Sequence, residues 1–212
     1  MKLPIPGDAN ASGPQRRWWK DRGVVLPEWG PRFGLYLFLA SLSMLFGSTL
    51  IGYIIIRFAG PFMPQLGYQE VPLSFWWSTV VLIASSVSIE IAYRRGRAGA
   101  VGEVLRWLIG GVLLAIVFVA LQTPAMIWLL AEHDVIHHVD NVYLYGLTFV
   151  LVAVHAFHVI GGAIPLAVIC RNALRGRYST AEKCEPIRLC AIYWHFLDVV
   201  WVMMLVMFIS LG

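Results

Sequence analysis

Five long apolar runs, divided by short stretches that hold nearly all of the charge, leave this chain few ways to fold. The runs are about Phe33–Ile56, Leu73–Tyr93, Val104–Leu130, Val142–Ile169 and Leu189–Leu211. Each is near the ~20 residues that cross a hydrocarbon core about 30 Å thick. In lipid every backbone N–H and C=O must be paired internally, so only helices or closed barrels span. Barrel strands alternate with period two, and these runs do not. The expected fold class is all-α: a polytopic membrane protein with five transmembrane helices in a bundle. Charged residues are 13% of the 212, against roughly 25% in an average soluble domain, which excludes an ordinary soluble enzyme. The third and fourth runs are long enough to tilt or project from the membrane. Four or six spans are the alternative counts.

The charges set the orientation. Lys2, Arg16, Arg17, Lys20, Arg22 and Arg32 precede the first run. Arg94, Arg95, Arg97 and Arg106 lie around the second-to-third link, and Arg171, Arg175, Arg177, Lys183 and Arg188 around the fourth-to-fifth. With five spans, these fifteen of the 16 Lys and Arg residues share one side, and Arg57 falls on the other. By the positive-inside rule the N-terminus is cytoplasmic and the C-terminus periplasmic. The net charge of +4 therefore reports topology and attraction to anionic lipid, and calls for no nucleic acid.

Residues 1–32 are rich in Pro, Gly and polar groups and show no apolar signal-peptide core. They read as a cytoplasmic or interfacial segment, with Trp18 and Trp19 beside Arg16, Arg17 and Lys20 as an interfacial anchor. Residues 33–212 read as one membrane domain. A Walker loop, a dinucleotide fingerprint and a repeat are all missing from the sequence. Cys170, Cys184 and Cys190 lie near cytoplasmic span ends, a reducing side, so they read as small packing thiols.

Polar residues inside the spans narrow the chemistry. His195 and Asp198 are the ionisable side chains of an apolar run, and each costs roughly 2.5–3.5 kcal/mol there unless paired. At i, i+3 they share a helix face. At ~1.5 Å per residue from each span centre, Ser41, Ser43, Ser85, Ser86, His158 and Asp198 fall at one level just cytoplasmic of the midplane. His155 is close to the centre, and His195 lies about one turn further toward the cytoplasm. The shared level suits hydrogen bonds between helices, or a site for lipid, protons or a cofactor. His155 or His158 opposite His195 has the makings of a haem ligand pair. His133, His137 and His138 with Glu132, Asp134 and Asp140 have the makings of an external metal site. Glu90 reads either as a partner for Arg94 at i+4 or as a proton-accessible carboxylate. Gly110-Gly111 and Gly161-Gly162 allow close helix approach, and Pro124 and Pro165 interrupt backbone bonding.

The block Tyr193-Trp194-His195-Phe196-Leu197-Asp198-Val199-Val200-Trp201 resembles the C-terminal signature of subunit III of haem-copper terminal oxidases. His155-Ala156-Phe157-His158-Val159-Ile160-Gly161-Gly162 resembles that family's HxxHVxxG motif on the preceding helix. Pro72-Leu73 with Ser85-Ser86, and Leu37–Ser41 with Met44-Leu45-Phe46, are similar to its earlier helices, in the same order. Five spans are similar to the short bacterial form. Two departures mark a divergent member. Leu42 stands where the family carries a glutamate after Ala-Ser, and Thr123-Pro124-Ala125 follows Gln122 in place of aromatic and acidic residues.

The resemblance implies a non-catalytic subunit of a cytochrome c or quinol oxidase. It implies no redox centre in this chain, with haem and copper in partner subunits. Subunit I would be its main contact, with subunit II and a small subunit IV as further partners, and phospholipid bound between helices. It also implies a part in oxygen reduction coupled to proton transport in a bacterial inner membrane. His155, His158, His195 and Asp198 match family positions as a polar interhelical cluster, and His158 is expected to meet the His195/Asp198 pair across spans four and five. An accessory subunit of a nitric-oxide reductase system, a stand-alone transporter or proton channel, and a b-type cytochrome are the alternatives.

Overall fold

The computed structural model describes residues 29–59, 73–135, 142–176, 178 and 181–211. Among the described residues all regular structure is helical. The helices are α1 (Gly30–Ala59), α2 (Leu73–Arg97), α3 (Val101–Val135), α4 (Val142–Leu174) and α5 (Glu185–Leu211), with a 3₁₀ turn at Ala181–Cys184 before α5. All five helices are long and apolar enough to cross a membrane. Each contains its expected run, and several continue into the flanking charged residues. α2 ends on Arg94, Arg95 and Arg97, where cations favour the negative end of the helix dipole. α5 opens on Glu185 with Pro186 beside it, an acidic first turn followed by a residue that needs no N–H partner.

The α2–α3 link is short because Gly99 adopts φ of 80°. That left-handed residue lets Ala100 N–H donate to the Arg95 carbonyl at 3.0 Å, which closes the helix end. α2 and α3 then pack closely along a seam of small residues. The Ser85 hydroxyl donates to the Gly111 carbonyl at 2.9 Å, and the Ser88 hydroxyl to the Trp107 carbonyl at 2.7 Å. A methyl group on Gly111 would sit 3.0 Å from Ile89 Cγ1. Such contacts hold helices together where lipid competes equally for apolar surface.

α5 packs against α1, α2 and α4. Its buried Trp194, Leu197, Trp201, Met204 and Phe208 recur at alternating steps of three and four, one helix stripe. Trp201 lies at the centre. Its ring meets Phe75 and Phe118 edge-on at 5.5 and 5.7 Å, and its indole N–H donates to Thr79 Oγ1 at 2.8 Å. α1 packs on α4 and α5 through Leu42, Phe46 and Tyr53. Outward-facing Met44, Ile116, Phe157 and Val206 belong to a wide apolar surface, the exterior that a bilayer requires.

Candidate functional site

The polar residues expected at one level divide into two places. On one side is His155, fully buried on α4. Trp201 lies 5.2 Å away at 33°, with Phe118 at 6.0 Å and Phe46 at 6.3 Å. Neither ring nitrogen has a hydrogen-bond partner among the described residues. Aromatic rings fill the space around it, so His155 cannot serve as a haem ligand here. His158, one turn on, faces Phe46 at 5.4 Å. Its Nδ1 is 2.7 Å from the Val154 carbonyl, and its own carbonyl accepts the Tyr193 hydroxyl at 2.8 Å.

On the other side, α5 turns His195 toward α2. His195 Nδ1 is 2.7 Å from Ser86 Oγ and 3.7 Å from Asp198 Oδ2, and Nε2 is 3.9 Å from Glu90 Oε2. The expected meeting of His158 with His195 and Asp198 is thus replaced. The helix across from the pair is α2, and α4 reaches α5 through Tyr193 and Trp201 instead. Glu90 accepts from Arg94 Nε at 2.7 Å, the i, i+4 pair read from the sequence, and it also borders His195. Ser85 is buried but turns to α3.

Ser41 and Ser43 do not join either place. Both are exposed and donate back to their own helix, at the Leu37 and Leu39 carbonyls. Between them Leu42 points into the core and is 5% exposed. His133, His137 and His138, with Glu132, Asp134 and Asp140, lie outside the residues whose side chains are described. Among the described residues, no three His, Cys, Asp or Glu side chains converge as a metal site. Cys184 is buried, which pushes its thiol up from the ordinary range and makes it a poor thiolate nucleophile. Its sulfur lies under Gly96, where a methyl group would come within 2.8 Å of it.

A hollow of about 730 Å³ opens between α1, α4 and α5. Leu35, Phe38, Phe157, Val168 and Tyr193 give it apolar walls, and Gly161 and Gly162 form part of its floor. A side chain on Gly162 would overlap the Tyr193 ring, so the glycine is what lets α5 lie against α4 here. Asn172, Tyr178 and Pro186 also line an adjoining hollow of about 430 Å³ that holds Lys183. Nothing in the spacing of the sequence marked this cleft.

The sequence profile of cytochrome c oxidase subunit III matches residues 24–212. The chain belongs to the cytochrome c oxidase subunit III family. Cytochrome c oxidase subunit 3 of Scyliorhinus canicula is 32% identical over 211 residues, 90% of this chain and 76% of its own length. The Arabidopsis thaliana protein of the same name is 29% identical over 209 residues, 89% and 75% of the two chains. Cytochrome bo(3) ubiquinol oxidase subunit 3 of Pseudomonas aeruginosa is 27% identical over 176 residues, 80% and 79% of the two chains. The chain is therefore an accessory subunit of a respiratory oxidase and a multi-pass membrane protein.

Proposed function

We propose that the chain docks on subunit I of a bacterial haem-copper oxidase, beside subunit II and a small subunit IV. In this reading it keeps phospholipid in the α1/α4/α5 cleft and supports sustained proton uptake by the complex. The observation that carries the lipid role is the cleft itself. Its apolar walls suit acyl chains, and at one end it runs toward Lys183 and Asn172, groups that suit a phosphate headgroup. The fifteen Lys and Arg residues on one side support a cytoplasmic N-terminus in a bacterial inner membrane. The segment 1–32 then lies at the cytoplasmic surface, and residues 33–212 form the membrane domain. Oxygen chemistry belongs to haem and copper in the partner subunits.

Purification in mild detergent, with identification of the copurifying chains, tests the assembly. A haem-copper catalytic subunit is the expected companion, and a solitary chain would overturn the reading. Native mass spectrometry of the same sample reads bound phospholipid. Gly162→Leu, which drives a side chain into the Tyr193 ring, is expected to lower its occupancy.

A further inference from the structure

His155 and His195 both lie in spanning helices, yet only His195 opens outward. Its side chain is 47% exposed, and that of Glu90 is 27% exposed. Both line a cleft of about 490 Å³ with Val87, Ile91 and Arg94. Ionisable side chains in a membrane face a protein interior or a water-filled cavity rather than lipid. The cleft holds the exposed Arg94 at the end of α2 that carries Arg95 and Arg97, so it leads from the charged membrane surface to the imidazole. Past the imidazole the exposure falls. The Asp198 side chain is 14% exposed, and its Oδ1 is buried with no partner among the described residues.

From this geometry we propose that Glu90, His195, Ser86 and Asp198 form one proton relay, entered from the charged end of α2 and ending on Asp198. Its use by the oxidase rests on the proton-uptake role proposed above, whereas its chemistry does not. Ser86 makes the chain reversible. A hydroxyl is both donor and acceptor, and the His195 Nδ1 that Ser86 meets at 2.7 Å is itself 3.7 Å from Asp198 Oδ2, which brings hydroxyl and carboxylate to the same ring nitrogen. In one arrangement Ser86 O–H donates to Nδ1 and Nε2–H points to Glu90. In the other, Nδ1–H donates to Ser86 Oγ and Ser86 O–H donates to Asp198. A proton given by the Glu90 carboxyl to Nε2 and a proton passed from Nδ1 through Ser86 to Asp198 leave a neutral imidazole. The net change is one proton lost from Glu90 and one gained by Asp198. The 3.9 Å between Glu90 and His195 is a distance that one bridging water spans.

Among the described residues the neighbouring charges are few. α2 offers Glu90 and Arg94, which are bonded to each other. α4 carries His155, packed on Trp201, and His158, whose Nδ1 meets the Val154 carbonyl of its own helix. α1 carries charge at its ends, Arg32 on Glu185 and Arg57 at the opposite end.

Infrared difference spectra of the purified full chain, taken on acidification in H₂O and D₂O, test the relay. The expected result is a protonated-carboxyl band that is lost in Asp198→Asn. It should shift in Ser86→Ala and in His195→Gln, and stay unchanged in His158→Gln. Asp198→Asn leaving every carboxyl band in place would overturn the relay, as would an Asp198 band indifferent to both Ser86 and His195. Failure to copurify with an oxidase would defeat the assembly reading and leave this band to decide the relay separately.

Discussion

Two histidines in adjacent helices show how differently one bundle treats the same side chain. His155 has rings on three sides and, among the described residues, nothing to bond. His195 has a hydroxyl and two carboxylates around it and an opening beside it. The first arrangement is packing, in which an imidazole serves as a small flat aromatic. The second holds groups that can carry a proton, and it tolerates exposure that packing alone would not require. Residue type is the same for the two; depth and direction around the helix axis separate them, with His155 beside Trp201 and His195 nearer the charged end beside Glu90 and Arg94.

The comparison breaks most visibly at Trp201, which touches His155 and bonds to Thr79 on α2. Trp201→Ala is expected to cost about 3–5 kcal/mol, read as loss of folded chain in a detergent-denaturation titration. A cost near zero would mean that the aromatic centre does not hold the bundle. Next comes Gly111→Val, whose added carbons meet Ile89 across the α2–α3 seam. An expected loss of about 1–3 kcal/mol in the same titration would place that seam among the main supports. His155→Phe should then change stability by less than about 1.5 kcal/mol, the crowding by a somewhat larger ring being offset by the removal of two unpaired nitrogens. A large loss would show that the buried imidazole has a polar partner after all. Ser85→Ala, which removes one hydrogen bond to Gly111, should cost about 0.6 kcal/mol. The smallest expected signal is on Cys184, where burial pushes the thiol up. Alkylation at neutral pH should be slow in the folded chain and rise as the pH is raised, and rapid labelling would show an open 3₁₀ turn.

Spans and depth were legible because hydropathy runs along the chain. Leu73 and Val142 start α2 and α4 as expected, and the i, i+4 pair of Glu90 with Arg94 follows from helix geometry alone. Rotation was much less legible. In a soluble helix the polar face marks the outside, but in lipid both faces are apolar and the contrast vanishes. Ser41 and Ser43 therefore looked like inward groups, yet they bond their own backbone and face out around a buried Leu42. For the same reason His195 could be assigned to a level but not to a neighbour, and its partner helix turned out to be α2. The place of the cleft was not legible either: the resemblance implied lipid between helices, but the cleft arises where α1, α4 and α5 meet and depends on the missing side chain of Gly162.

The most direct test of the contrast is the turnover lifetime of the assembled oxidase carrying His155→Phe or His195→Phe, measured side by side. The packing role predicts a His155→Phe enzyme that lasts as long as the unmodified complex. The relay role predicts a His195→Phe enzyme that assembles normally but inactivates several-fold sooner. The reverse order, or two identical lifetimes, would contradict the division of roles.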